Sequence, residues 1–246
     1  MPPEILDLAE KYPLLFKTVN YLKTTSSIFK NTIGKQMKHN FNFELSARIC
    51  ENGLKMSNNN WDTYCSNLNN LVDMSIEFLK LQKNLEKTGR YLHSTFEEVE
   101  KNEYNTNNKD LDGPDYLWGL YFSEIFWKIH HSFSNFSLND FMSNVPPTGK
   151  VLEVPCGTGF FLCEFLRKNS NWLGIGVDLA DSAIKFSQIL FHTNNIPKNS
   201  YKLMKMNFHQ LESNEKYDRI LCGEFLEHLE DPLAALKKLK AKMLLK

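Results

Sequence analysis

Two short stretches hold most of the side chains that could do chemistry in this 246-residue chain. The first is Val151-Leu-Glu-Val-Pro-Cys-Gly-Thr-Gly-Phe-Phe161, where Gly157 and Gly159 stand at positions that let a chain turn tightly and a ligand approach its backbone. Gly-x-Gly also describes an ordinary turn between a strand and a helix. Asp178 gives the loop more meaning. It ends the next apolar run, Leu173-Gly-Ile-Gly-Val-Asp178, where an acid can accept hydrogen bonds from both hydroxyls of a ribose. Its plainer reading is a helix N-cap, a role for which Asp181 and Ser182 are better placed by spacing. The second stretch is Glu224-Phe-Leu-Glu227-His228, two carboxylates and an imidazole close in sequence, which could take up a proton or bind a divalent cation. The bland alternative is a solvated first turn with His228 packed nearby.

These residues must be held by elements, and the hydrophobic pattern shows two regimes that change near Pro146-Pro147-Thr148-Gly149. Before that point the period is helical. Leu68, Leu71, Val72, Ser75, Phe78, Leu79, Gln82 and Leu85 recur at three- and four-residue spacing and predict an amphipathic helix over 61–86. Ser94 and Glu97 fit a capping box for a helix reaching about Asn102, and 105–115 reads as a loop. An aromatic helix is expected over 116–133, with a shorter one after Ser137. Within it Tyr116, Trp118, Tyr121, Phe122 and Trp127 could cover a flat ligand, although aromatics at helical spacing are more often core. His130 and His131 are adjacent and diverge on a helix, so they cannot easily share one ligand. The first 45 residues read as mainly helical, broken at Pro13 and around Gly34.

After Lys150 short apolar runs at 150–154, 173–177, 201–206 and 219–222 alternate with helical stretches at 160–168, 181–194 and 232–246. Strands alternating with helices argue for βαβ units and a parallel sheet, with ligands bound outside the carboxyl ends of its strands. The expected organisation is a helical region over 1–145 that helps recognise substrate or acts as a lid, followed by an α/β region over 146–246.

Three ordered segments, Val151-Leu-Glu-Val-x-Cys-Gly-Thr-Gly159, Gly174-x-Gly-Val-Asp178 and Tyr217-Asp-Arg-Ile-Leu-Cys-Gly-Glu-Phe-Leu-Glu-His-Leu-Glu-Asp-Pro232, resemble class I S-adenosylmethionine-dependent methyltransferases. The resemblance covers about the last hundred residues. It implies a Rossmann-like, doubly wound parallel sheet, truncated here after the fourth strand and its helix, with the edge of that strand unpaired. It also implies S-adenosylmethionine as cofactor and S-adenosylhomocysteine as product. Glu153 would help organise the amino-acid end, while Pro155, Cys156, Gly157, Thr158 and Gly159 pass under the methionine part. Asp178, followed by Leu179, would hold the ribose. Asn207 and Phe208 would lie by the adenine, and Glu224 and His228 are the candidates for cofactor contact and proton removal. Two positions depart from the pattern. Pro155 replaces the usual first glycine, and Asn207 replaces the usual acid, leaving an amide oxygen to accept from the adenine amino group.

The Glu224-x-x-Glu227-His228 segment also resembles that of ubiquinone-pathway O-methyltransferases and small-RNA 2′-O-methyltransferases, which implies a magnesium-type site. The reading adopted carries no metal and keeps Glu224, Glu227 and His228 as the residues that would supply one. A nicotinamide dehydrogenase is the competing sheet-bearing class. Its phosphate fingerprint needs a small residue where Leu162 stands, which argues against it.

Bulk properties are consistent with this reading. Lys plus Arg and Asp plus Glu each number 29, so no net field favours nucleic acid or an anionic membrane, and no phosphate track is evident. The 5 cysteines lack a C-x-x-C pair, which reads as reduced thiols. No basic-then-apolar leader or membrane span is evident, so a cytoplasmic enzyme is expected, methylating a small-molecule or peptide-like acceptor. The alternative is a cofactor-binding but inactive fragment or partner subunit. A homo- or hetero-oligomer would be one way to cover the exposed sheet edge.

Overall fold

The computed structural model describes residues 3–38, 41–90, 113–211 and 214–244, with side chains from Asp7 onward. The chain divides into two compact units, residues 1–76 with 118–137, and residues 77–117 with 138–246.

The first unit is built from α1 (Pro3–Lys11), α2 (Pro13–Thr25), α3 (Ser27–Gln36), α4 (Phe43–Met56), the first half of α5 (Trp61–Thr88), most of α6 (Pro114–Phe126) and α7 (Lys128–Phe136). Pro13 opens α2, where its missing amide hydrogen costs no helical bond. The second expected break lies elsewhere. Ser26, in an extended conformation, separates α2 from α3, and Gly34 continues inside α3. One glycine is only a modest helix penalty, and the buried Phe29 and Ile33 on the same helix outweigh it. The aromatic helix also breaks. Trp127 is extended, and its indole N–H donates to Ser75 Oγ at 2.8 Å. The capping box at Ser94 and Glu97, the helix after it and the loop up to Asp112 lie outside the described residues. Pro114 and Asp115, expected in that loop, form the first turn of α6.

The aromatic residues of α6 are core. Tyr121 and Phe122 are fully buried, and Trp118 stacks on Phe122 with ring centroids 5.6 Å apart. His130 and His131 take different partners, as their divergence on a helix requires. His130 Nδ1 lies 2.7 Å from Ser123 Oγ. His131 Nδ1 donates to the Glu124 carbonyl at 3.0 Å, and its Nε2 accepts the Asn42 amide at 3.0 Å. Asn42 in turn caps α4 by accepting from the Leu45 amide. Only a neutral imidazole can make both His131 bonds.

The second unit contains a four-stranded, wholly parallel sheet in the order β3-β2-β1-β4, from β1 (Gly149–Glu153), β2 (Trp172–Asp178), β3 (Tyr201–Lys205) and β4 (Arg219–Leu221). Helix α8 (Phe160–Lys168) joins β1 to β2, α9 (Asp181–Thr193) joins β2 to β3, and α10 (Pro232–Ala241) follows β4. This is the doubly wound α/β architecture expected. Alternation along the strands sends Leu152, Val154, Ile175 and Val177 to one face, where they form a core cluster with Ala235 and Leu239 of α10. On the other face a Cβ at Gly174 would meet Leu166 and Leu162 side-chain carbons at 2.8 and 2.9 Å, so glycine there lets α8 lie close to β2.

The chain end differs from the expected long helix. α10 stops at Ala241, and Met243 forms a parallel bridge with Tyr217 just before β4. Tyr217 donates to the Lys242 carbonyl at 2.8 Å and accepts the Leu244 amide at 2.9 Å. This isolated bridge lies just before β4, while β4 is the outer strand of the sheet and among the described residues pairs with β1 alone, as expected. All five cysteines are unbridged. Among the described residues no helix is long and apolar enough to cross a membrane.

Burial lowers the pKa of His130 and of His131 below the ordinary value of 6.5. The unfolded chain therefore takes up these protons first, so their contribution is intact above pH 6.5 and is lost as pH falls through the native values. Thermal unfolding followed by circular dichroism should show the midpoint falling with acidification in that window. A His131→Gln variant should show a shallower fall, and an unchanged slope would contradict this assignment.

Candidate functional site

Because β1, β2 and β3 run outward in one direction while β4 flanks β1 on its other side, strand order reverses between β1 and β4. The crevice outside the carboxyl ends at such a reversal is where open α/β sheets bind ligands. Every sequence-predicted site residue lies at or just beyond a strand end on that edge: Glu153 and the glycine loop at β1, Asp178 and Leu179 at β2, Asn207 and Phe208 after β3, and Glu224, Glu227 and His228 after β4.

The glycine loop is wedged between its neighbours. Val154 donates to the Leu221 carbonyl at 3.0 Å and Cys156 to the Val177 carbonyl at 2.9 Å, so the residues on either side of Pro155 supply the sheet bonds. The missing proline amide hydrogen costs the sheet nothing. Gly157 and Gly159 have φ of 50° and 70°, left-handed values that side chains resist. Gly159 is the N-cap of α8, and its amide closes a turn on the Cys156 carbonyl at 2.7 Å.

Asp178 holds this loop. Its Oδ2 accepts the Gly157 amide at 2.8 Å, and its Oδ1 accepts the Ala180 amide at 2.9 Å. Burial raises its pKa above the ordinary carboxyl value, and these backbone hydrogen bonds oppose the rise. Each carboxylate oxygen can accept further bonds. Asp181, expected as the better cap, leaves α9 without a side-chain cap and pairs with Lys185 instead. Glu153 is buried and accepts the Leu162 amide at 3.1 Å, so it secures the first turn of α8 from within the sheet. Cys156 is buried beside Asp178 and Glu153. Desolvation first, then those charges, push its thiol well above the usual range, which leaves it a poor nucleophile. Thr158 is buried and Leu179 is exposed.

After β3, Asn207 caps a short 3₁₀ turn, Phe208–Gln210. Its Oδ1 accepts the His209 amide at 2.8 Å, and its own amide donates to Gln210 Oε1 at 3.3 Å. Asn207 Oδ1, the oxygen expected to accept from an adenine amino group, thus takes a local cap bond with one of its two lone pairs, in line with the preference of Asn for N-cap positions. Phe208 is buried and packs edge-on against Phe225 at 5.1 Å, joining the loops after β3 and β4.

Glu224 is exposed and has φ of 49°, a left-handed conformation unusual for a non-glycine residue and one that clusters at functional sites. Its pKa is raised, first by desolvation, then by the Glu227 charge and a hydrogen bond to Glu227, against a lowering by His228. No three His, Cys, Asp or Glu groups among the described residues are gathered as a metal ion would require. The donor set does not fit the magnesium-type site implied for Glu224, Glu227 and His228.

Sequence reasoning passed over Ser187. It is fully buried on α9, and its hydroxyl donates to the Gly157 carbonyl at 3.2 Å. Its only signal was a hydroxyl within the apolar stripe Ala183, Ile184, Phe186, Leu190 and Phe191.

Residues 152–246 match the family model described as "Methyltransferase domain". The matched segment carries most of the parallel sheet, whose order is that of a doubly wound, Rossmann-like fold. The domain is similar to a ubiquinone biosynthesis O-methyltransferase of Paracidovorax citrulli (strain AAC00-1), 31% identical over 88 residues, or 36% of this chain and 36% of that protein. An enzyme of the same name from Acinetobacter baumannii (strain ACICU) is 27% identical over the same shares of the two chains. The chain thus spans 36% of the length of these curated relatives. Among solved structures, an O-methyltransferase family protein from Burkholderia thailandensis aligns with a TM-score of 0.48 and 11% identity, covering 72% of this chain and 51% of that one.

The glycine loop of the matched segment can be tested directly. A Cβ at Gly159 would lie 2.5 Å from Ser187 Oγ and 2.8 Å from Ser187 Cβ. Gly159→Ala should therefore lose the roughly 1–2 kcal/mol cost of a left-handed non-glycine residue plus that of displacing Ser187. Urea unfolding of Gly159→Ala, Ser187→Gly and the double variant would measure it. The double variant should recover part of the loss, whereas strictly additive effects would rule out the steric account.

Proposed function

We propose that this chain binds S-adenosylmethionine at the carboxyl edge of its sheet and transfers the methyl group to a small-molecule or peptide-like acceptor. The observation carrying the reading is Asp178: a buried carboxylate bonded to the Gly157 amide, set beside the reversal of strand order and still able to accept ribose hydroxyls. The residues suit the cofactor. Asp178 would hold the ribose, and Pro155 to Gly159 would lie along the methionine part. Asn207 Nδ2 and the backbone near Phe208 would meet the adenine edge. Glu153 would act through α8, whose first turn it secures. When bound, the cofactor supplies a methyl group on a sulfonium, already a good leaving group.

The chain's own task is then to align an acceptor and remove its proton. Glu224 is our candidate base. Its raised pKa makes it a stronger acceptor of a proton than an ordinary carboxylate. His228 is the neighbouring candidate, and its charge opposes the rise in the Glu224 pKa. A catalytically inactive scaffold is not favoured by the match to a methyltransferase domain.

Isothermal titration with S-adenosylhomocysteine, together with labelled-methyl transfer to an acceptor panel, tests the reading. Saturable binding is expected, weakened at least tenfold by Asp178→Ala, which deletes charge-assisted bonds worth roughly 1.5–3 kcal/mol each. Absence of wild-type binding would overturn the cofactor assignment. With an acceptor in hand, Glu224→Gln should lower kcat by about a hundredfold. The wild-type rate should rise with pH through a carboxyl pKa above the ordinary 4.5, a limb that Glu224→Gln should lack. A retained limb would exclude Glu224 as the base.

A further inference from the structure

The 3₁₀ turn Phe208–Gln210 sits where the proposed site would read adenine, yet three residues are too few to hold themselves in place. Its start is secured by the reciprocal bonds of Asn207 and Gln210. Its carbonyls are met from elsewhere. Lys238 Nζ, on α10, lies 3.2 Å from the Phe208 carbonyl oxygen and 2.6 Å from that of His209. The same ammonium stands 5.2 Å from the centre of the Phe208 ring. The Phe208 carbonyl also accepts the Leu211 amide at 3.2 Å, so one ammonium and one amide together fix the turn's exit.

Helix α10 is a firm anchor for this contact, because Ala235 and Leu239 flank Lys238 in the sheet's core cluster with Leu152 and Phe208. Burial among these groups lowers the Lys238 pKa from its ordinary value, yet donation to two carbonyls keeps its protons in use. A cation so placed also polarises the peptide groups it touches, which strengthens the neighbouring amides as donors.

We infer that Lys238 is a positioning residue for the adenosyl end of the cofactor: it does not touch the ligand but clamps the Phe208–His209 backbone in the conformation that meets the base. This inference rests on the cofactor reading above. It predicts an effect confined to binding of the adenosyl group, whereas a lysine that merely stabilised α10 would change folding alone.

The test uses the full chain as wild type, Lys238→Met and Lys238→Arg. Amide hydrogen exchange without ligand reads the clamp, and titration with S-adenosylhomocysteine and with 5′-methylthioadenosine, which lacks the amino-acid end, reads the consequence. Lys238→Met should speed exchange at Leu211 and raise both dissociation constants about tenfold, a change of about 1.4 kcal/mol. Lys238→Arg, which can still donate to both carbonyls, should restore most of the affinity, and Lys238→Met should raise KM for S-adenosylmethionine while leaving kcat within about twofold. Should Lys238→Met fail to fold, Lys238→Gln carries the same comparison. Wild-type binding that Lys238→Met leaves unchanged overturns the role of Lys238 while the cofactor reading stands. A wild type that binds neither ligand overturns the cofactor reading, and this inference with it.

Discussion

The carboxylate of Asp178 is the point on which the ligand edge of this sheet depends. It collects the amide of Gly157, from the loop after β1, and that of Ala180, from the loop after β2. A buried charge is costly unless hydrogen-bonded, and here the two amides offset part of that cost, with burial still raising the Asp178 pKa. The same bonds dictate the loop. Gly157 donates its amide to Asp178 from a left-handed conformation, and the Ser187 hydroxyl holds its carbonyl. Glycine, acid and serine thus form one device distributed over a loop, a strand and a helix.

That device works because of topology. Parallel strands end at one edge, and the order β3-β2-β1-β4 places the loops of β1 and β4 side by side at the reversal. The loops after β3 and β4 are joined in turn by the Phe208–Phe225 contact and by the reach of Lys238 from α10. A ligand lying across this edge would meet a surface whose parts are fixed to one another before it arrives. Such preorganisation is how a binding site avoids spending affinity on ordering its own loops. The segment that matches the methyltransferase-domain model carries most of this sheet, while the helical unit has its own aromatic core around Tyr64, Tyr121 and Phe122.

Several elements were legible because they rest on short-range chemistry. The helix through Leu68 and Leu71, the four apolar strands, the turn glycines and the acid ending β2 all follow from periodicity or from one residue's conformational needs. The misreadings share a different character. Gly34 was given too much power to break a helix, and Ser26 took that role. Trp127 left its helix, with its indole bonded to Ser75 far back in the chain. The last residues left α10 to form a bridge just before β4.

By itself, then, the sequence determined the sheet class, the turn at Gly157 and Gly159, and the acid that faces it, since local sterics and hydrophobic period demand those residue types in that order. Only the tertiary structure decided which polar atoms meet. Gly157 and Asp178 are 21 residues apart, and Lys238 and Phe208 are 30 apart. No spacing rule reaches across such distances, because the partner of a hydrogen-bonding group is set by how strands and helices stack, and that is a property of the whole packed domain.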